Sequence, residues 1–297
     1  MSPVRPPLQG RPSELPVLRL HGQPRGFVVS GESKATSELQ AAACPMSCRP
    51  AGNPGRSALL QLPRPLILGE EPLLLLLDNA DTLPEALLSR LETLLTTEER
   101  LRLRQRRHPA ERSRQAAGLA LVRLVLATLL GWPAEALPIE RGRQGKPLLA
   151  PGPWSPLQFN LSHSGSLLLL GLHRQRPIGV DLERHRPGLR WRAIARRYLE
   201  AEVVATLEST PETEQIPAFT AAWCRLEATV KADGRGLAAR AESRSDRPGG
   251  EPLQLFQPRL PAGYSGAVVL AASPSPGTTE GRACASTASG GIHIASP

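Results

Sequence analysis

Lysine, aromatic side chains and long apolar runs are all scarce in this sequence of 297 residues. Lys34, Lys146 and Lys231 are its three lysines, although Lys and Arg together number 36 against 27 Asp and Glu. Positive charge is therefore carried by arginine, and the lysines that survive mark positions worth locating. Aromatic residues make up 3% of the chain, and the arginine-rich stretch from Arg100 to Arg114 contains none on which a base could stack. A nucleic-acid partner is not expected. No segment reaches the roughly 18 apolar residues of a membrane span; the longest candidate, Leu119 to Leu130, is too short and carries Arg123. Cysteine is limited to Cys44, Cys48, Cys224 and Cys284. Cys44 and Cys48 form a lone C-x3-C without a second pair or nearby histidines, so reduced thiols are expected in place of a zinc site. No apolar core follows the first basic residue, which excludes a visible secretory signal. A soluble, cytoplasmic protein is the expectation.

The net charge of +9 favours an acidic partner, whether a phosphorylated ligand or an acidic protein. Pro and Arg recur without period through residues 1–68, where no hydrophobic pattern persists, so this stretch is expected to be a disordered extension. Residues 273–297, rich in Ser, Gly, Ala and Thr, are expected to be a disordered tail.

Between these ends the pattern sharpens. Pro72 to Asp78 is a continuous apolar run, expected as a buried strand. Leu83 to Leu95 has helical spacing, and Thr96 or Thr97 followed by Glu98 and Glu99 marks a helix start. A further helix begins near Ala110 and ends at Gly131, with Pro133 just beyond. Phe159 to Ser164, Ser166 to Leu172 and Pro177 to Glu183 are expected as strands, Leu189 to Leu207 and Ala218 to Ala232 as helices, and Leu253 to Gln257 with Gly266 to Ala272 as closing strands. This is an α+β pattern with two halves, residues 69–176 and 177–272, which suggest an internal duplication.

Three constellations carry chemistry. In Gly179-Val180-Asp181-Leu182-Glu183, residues two apart on a strand share a face, so Asp181 and Glu183 present two carboxylates together. In Trp223-Cys224-Arg225-Leu226-Glu227-Ala228-Thr229-Val230-Lys231, the helix aligns Trp223, Glu227 and Lys231 at i, i+4, i+8, and Gly234 and Gly236 follow as a tight exit. The third is Gly145-Lys146-Pro147 followed by Phe159-Asn160-Leu161-Ser162-His163-Ser164. Alternation sends Asn160, Ser162 and Ser164 to one side, a polar set suited to phosphate oxygens.

Taken in order, GKP, FNLSHS, GVDLE and WCRLEATVKADGRGL resemble the signature of the Sfp-type 4′-phosphopantetheinyl transferases. The resemblance implies a pseudo-symmetric monomer of two similar subdomains with coenzyme A in the cleft between them. It implies magnesium held by Asp181, Glu183 and Glu227, a hard cation on carboxylates with the coenzyme's pyrophosphate completing the shell. It further implies coenzyme A contacts from Lys146, Pro147, Ser162, His163 and Lys231, with Arg114 and Arg102 toward the 3′-phosphate. Glu227 is then the candidate general base, directly or through a metal-bound water, with Lys231 beside it and Glu202 as a second candidate. The reaction implied is transfer of the phosphopantetheine arm from coenzyme A to a serine of an acidic acyl or peptidyl carrier protein, releasing 3′,5′-ADP. Leu226 departs from the pattern, because the family usually has lysine just before the metal-binding glutamate. A lysine there would reach the nucleotide side of the cleft. Its absence leaves a non-catalytic coenzyme A or carrier-binding module of the same fold as the alternative.

Overall fold

Local signals in the sequence account for most of the helix boundaries. The computed structural model describes residues 12–23, 26–30, 66, 68–142, 145–152, 156–234 and 253–271. Helices α1 (Glu85–Glu92), α2 (Thr97–Arg104) and α3 (Pro109–Leu130) form one group. Thr96 caps α2 through a complete capping box with Glu99, which satisfies two otherwise orphaned backbone donors. Pro109 opens α3, and Gly131 closes it in the left-handed conformation at φ 62°. By length and composition α3 could cross a membrane, but most of its apolar residues are buried inside the fold. Its Arg123 is 2% exposed and paired with Glu99, and its Nη1 donates to the carbonyls of Ala134 and Leu137. Such satisfaction is what allows a charge inside a core.

Eleven strands build the rest among the described residues: β1 (Ser13–Leu15), β2 (Leu18–Gln23), β3 (Gly26–Ser30), β4 (Leu73–Asp78), β5 (Ile139–Arg141), β6 (Pro147–Leu149), β7 (Gln158–Ser164), β8 (Leu167–His173), β9 (Ile178–Arg184), β10 (Gln254–Pro258) and β11 (Tyr264–Leu270). One sheet has the order β3-β2-β4-β8-β7, another β1-β10-β11-β9, and β5 pairs with β6. Alternation along the strands divides the core. Leu75, Leu77, Leu168, Leu170 and Leu172 face α1 and α3, whereas Leu74, Leu76, Leu167 and Leu169 meet Ile178, Val180, Leu182, Val268 and Leu270 of the other sheet. On the far side of that second sheet lies α6 (Glu212–Asp233), and α4 (Trp191–Tyr198) and α5 (Ala201–Ser209) pack against α6. The α+β character expected from the sequence is present.

Residues 12–30 correct the expectation of disorder through residue 68. β1 runs parallel to β10, and β2 pairs in parallel with β4, so the early chain adds to both sheets. Leu15, Leu20 and Phe27 are buried there. The proline-rich composition hid three strands because β1 and β2 are short and pair with β10 and β4 far along the chain, and β3 in turn pairs with β2. The expected tail at 273–297, and the exit residues Gly236 and Leu237, lie outside the described residues. Two helix boundaries also differ. The single helix expected from Leu189 to Leu207 breaks at Leu199 and Glu200, whose backbones are extended. Helix α6 starts six residues earlier than Ala218 because Pro217 is tolerated: the carbonyl it leaves unpaired belongs to Thr213, on the exposed first turn.

Candidate active site

The two sheets meet along β7 and β9, and the polar face of FNLSHS joins them. Asn160 Oδ1 accepts the Val180 amide at 2.8 Å, and Ser164 Oγ accepts the Arg184 amide at 3.0 Å. Ser162 Oγ donates to Asp181 Oδ1 at 3.0 Å, and Ser164 Oγ donates to Glu183 Oε2 at 2.7 Å. The side chains that the sequence suggested for phosphate oxygens thus bind the β9 edge and aim its carboxylates. Phe159 and Leu161 face the opposite way into the α3 core, as alternation requires. His163 continues that face beside Arg114 of α3, whose guanidinium donates to the Gly165 carbonyl at 3.0 Å. Gly165 supplies the left-handed φ of 58° that this turn needs.

On the other side of β9, Gly179 sets the distance to α6. A Cβ on Gly179 would lie 1.9 Å from the Ala228 carbonyl oxygen and 2.5 Å from the Ala232 nitrogen. The small residues Cys224, Ala228 and Ala232 pack with Ala267, Val269 and Ala271 in the same layer. One residue before each of the last two stand Glu227 and Lys231, so this close contact carries them to the edge of β9. Lys231 Nζ reaches Asp181 Oδ1 at 2.6 Å and Ser162 Oγ at 3.3 Å. Lys146 secures the end of the helix from beneath, donating to the carbonyls of Lys231 at 2.8 Å and Ile178 at 2.9 Å. A cation on a C-terminal carbonyl is also favoured by the helix dipole.

Electrostatics follow from this crowding. Burial raises the Glu227 carboxyl above the ordinary glutamate range, with Asp181 and Glu183 adding to the rise and Lys231 opposing it. Burial, followed by the charge of Lys231, lowers Lys146 to about 8. Desolvation, then Arg114 and Lys231, holds the His163 imidazolium below its usual value, which favours the neutral ring. Burial and the neighbouring Asp181 push the Cys224 thiol up, so it remains a thiol. Asp181 is 4% exposed and lies beside the Cys224 thiol, and its Oδ2 has no nitrogen or oxygen donor among the described residues.

The chain matches the family model described as the 4′-phosphopantetheinyl transferase superfamily over residues 177–264. It matches that of the 4′-phosphopantetheinyl transferase N-terminal region over residues 84–174. It is 32% identical to 4′-phosphopantetheinyl transferase HetI of Nostoc sp. over 173 residues, covering 58% of this chain and 73% of that protein. The chain belongs to the 4′-phosphopantetheinyl transferase superfamily. It is also 40% identical to 4′-phosphopantetheinyl transferase AcpT of Salmonella typhimurium over 93 residues, covering 31% of this chain and 47% of AcpT. Identity to 4′-phosphopantetheinyl transferase psf-1 of Bacillus pumilus is 30% over 151 residues, covering 50% of this chain and 62% of the relative.

In this transferase the residues singled out from the sequence separate into two groups. Ser162, Asp181, Glu183, Glu227, Lys231, Lys146, His163 and Arg114 are linked by the bonds and mutual charge effects above. Pro147 begins β6 next to Lys146. Arg102 instead sits exposed on α2 in an ion pair with Glu98, and Glu202 is exposed on α5. Among the described residues, no three His, Cys, Asp or Glu side chains gather into a metal-holding group. The expected trio is therefore not drawn together: Lys231 neutralises Asp181, while Ser164 and Arg186 hold Glu183. Clustered carboxylates repel one another without a cation between them. The donor set still fits a hard divalent ion, because Asp181 keeps a buried, bare carboxylate oxygen beside two further carboxylates. Leu226, where a lysine was expected to reach nucleotide, packs against the cluster of Trp191, Leu199, Leu207 and Phe219. Its apolar setting explains leucine there, and the adjacent Arg225 is exposed. Sequence reasoning missed the positioning bonds of Asn160 and Ser164, although the unusual polarity of that strand was the available signal.

Proposed function

We propose that this chain transfers the 4′-phosphopantetheine arm of coenzyme A to a serine of an apo carrier protein, releasing 3′,5′-ADP, with magnesium as cofactor. The observation that carries this reading is the buried, unpartnered Oδ2 of Asp181 beside Lys231, with Glu183 and Glu227 near enough for their charges to interact, in a chain of this family. Asp181, Glu183 and Glu227 would hold the magnesium. When bound, the ion supplies charge stabilisation to the pyrophosphate and its leaving group.

The remaining work falls to the chain's own side chains. Lys231 and Arg114 provide cations for phosphate oxygens, and neutral His163 adds a hydrogen-bond donor or acceptor. Lys146 braces the carbonyls of β9 and α6, keeping the Lys231 stem in register. Glu227 is also the side chain placed to take the serine proton, directly or through a metal-bound water. An acidic carrier would be drawn by the chain's net charge of +9.

The direct test incubates the full chain with coenzyme A, magnesium and a panel of apo carrier proteins of fatty-acid, polyketide and nonribosomal-peptide type. Mass spectrometry should find at least one carrier heavier by one phosphopantetheine arm. Every carrier remaining unmodified would refute the proposal.

A further inference from the structure

Lys231 Nζ and Ser162 Oγ both bond Asp181 Oδ1, while the second oxygen of the same buried carboxylate has no partner. A buried carboxylate needs a counter-charge, and Lys231 supplies it. The lysine backbone is fixed, since Lys146 holds its carbonyl and α6 ends at Gly234 three residues later. Its side chain is 28% exposed, against 6% for that of Asp181, so the ammonium has room to move and the carboxylate does not. A second cation on Oδ2 would sit beside this ammonium in a poorly solvated site, where like charges repel strongly.

We propose that Lys231 is a built-in counter-cation that holds the Asp181 position in the free protein and competes there with a divalent cation, so that cation and phosphate ligand bind cooperatively. The inference rests on the reading of Asp181 as a metal ligand given above. A phosphate arriving at the site offers Lys231 a new anionic acceptor. The ammonium then leaves Asp181, and both carboxylate oxygens become available to the divalent ion. By reciprocity, the ion must strengthen phosphate binding by the same factor. Divalent cation alone therefore binds weakly, and Lys231 adds an ordering device to its part in holding phosphate.

The test is a titration of Mn2+, followed by electron paramagnetic resonance, with no carrier protein present and hence no turnover. Wild type, Lys231→Met, Lys231→Gln and Asp181→Asn are compared with and without coenzyme A. Lys231→Met should bind Mn2+ about tenfold more tightly than wild type when coenzyme A is absent. Coenzyme A should raise the wild-type affinity by about the same factor and that of Lys231→Met much less. Lys231→Met leaves Asp181 uncompensated, so its melting temperature should be low without Mn2+ and recover when Mn2+ is added. Lys231→Gln keeps a neutral donor for Asp181 and serves if the methionine variant does not fold. Equal Mn2+ affinity in wild type and both Lys231 variants would overturn the proposal while leaving the metal site intact. Mn2+ binding that survives Asp181→Asn, or is absent from all four chains, would overturn the metal-site reading and this proposal with it.

Discussion

Replacing Gly179 with alanine should disable the site through packing alone. The new Cβ would stand 1.9 Å from the Ala228 carbonyl oxygen, whereas about 3.0 Å is the shortest contact such an atom tolerates. The obstructing atoms all belong to the α6 backbone, so no side-chain rotation relieves it. Helix α6 must retreat by at least about 1 Å, the gap between those two distances. Retreat opens the contacts of Cys224, Ala228 and Ala232 with Ala267, Val269 and Ala271, and it pulls Lys231 off Asp181. Overpacking of this kind costs about 3 kcal/mol, which at this chain size lowers the melting temperature by roughly 6–12 °C. A displacement near 1 Å of Glu227 and Lys231 should also cost on the order of 100-fold in transfer rate. Thermal melts followed by circular dichroism and carrier-modification rates would be read together. Gly69→Ala, which meets nothing within 4 Å, is the control. A Gly179→Ala variant that melts and turns over like wild type would refute the close-packing explanation for GVDLE.

Leu226→Lys should lower the melting temperature by placing a charge against the α4–α5–α6 cluster, at a cost of about 1–3 kcal/mol. It should not lower the Michaelis constant for coenzyme A, and a lower constant at unchanged stability would return this position to the nucleotide side. Deleting residues 1–30 should destabilise the fold in urea titrations, since Leu15, Leu20 and Phe27 each contribute roughly 1.5–3 kcal/mol by burial; an unchanged midpoint would show that β1 to β3 contribute nothing. The pH dependence tests Glu227, whose folded value is raised mainly by burial. In chelator, where no metal sits on this carboxylate, the folded state binds the proton more tightly than the unfolded chain, so stability increases as pH falls through that raised value. Glu227→Gln should abolish this stabilisation in melts run across the same pH range, and a stabilisation that persists in the variant would assign it to another group.

Local rules made much of this architecture legible before any coordinates. The capping box at Thr96, the closing glycine at 131 and the two-residue period of FNLSHS and GVDLE each depend on near neighbours. The placing of Asp181 and Glu183 on one strand face, and of Glu227 and Lys231 on one helix face, was legible for the same reason, whereas the roles proposed for them came from the family resemblance. What stayed hidden depends on distant partners. β1 and β2 form because β10 and β4 receive them, and β3 then pairs with β2. Ser164 orients Glu183 only because two sheet edges meet, and Leu226 is apolar because α4 and α5 fold over it. Arg102, by contrast, follows Glu98 by four residues on α2, a spacing that already pairs the two on one helix face.

The most direct test of the account compares wild type with Asp181→Ala. Both would be incubated with coenzyme A and the best apo carrier, in magnesium and in excess chelator, while carrier mass and 3′,5′-ADP release are followed together. Asp181 is the most buried of the three candidate ligands and the one with a bare oxygen. Wild type in magnesium should give one arm per carrier with equal release of 3′,5′-ADP. Wild type in chelator, and folded Asp181→Ala in either condition, should give neither. Transfer at the wild-type rate by Asp181→Ala in magnesium would contradict the assignment of this carboxylate to the metal.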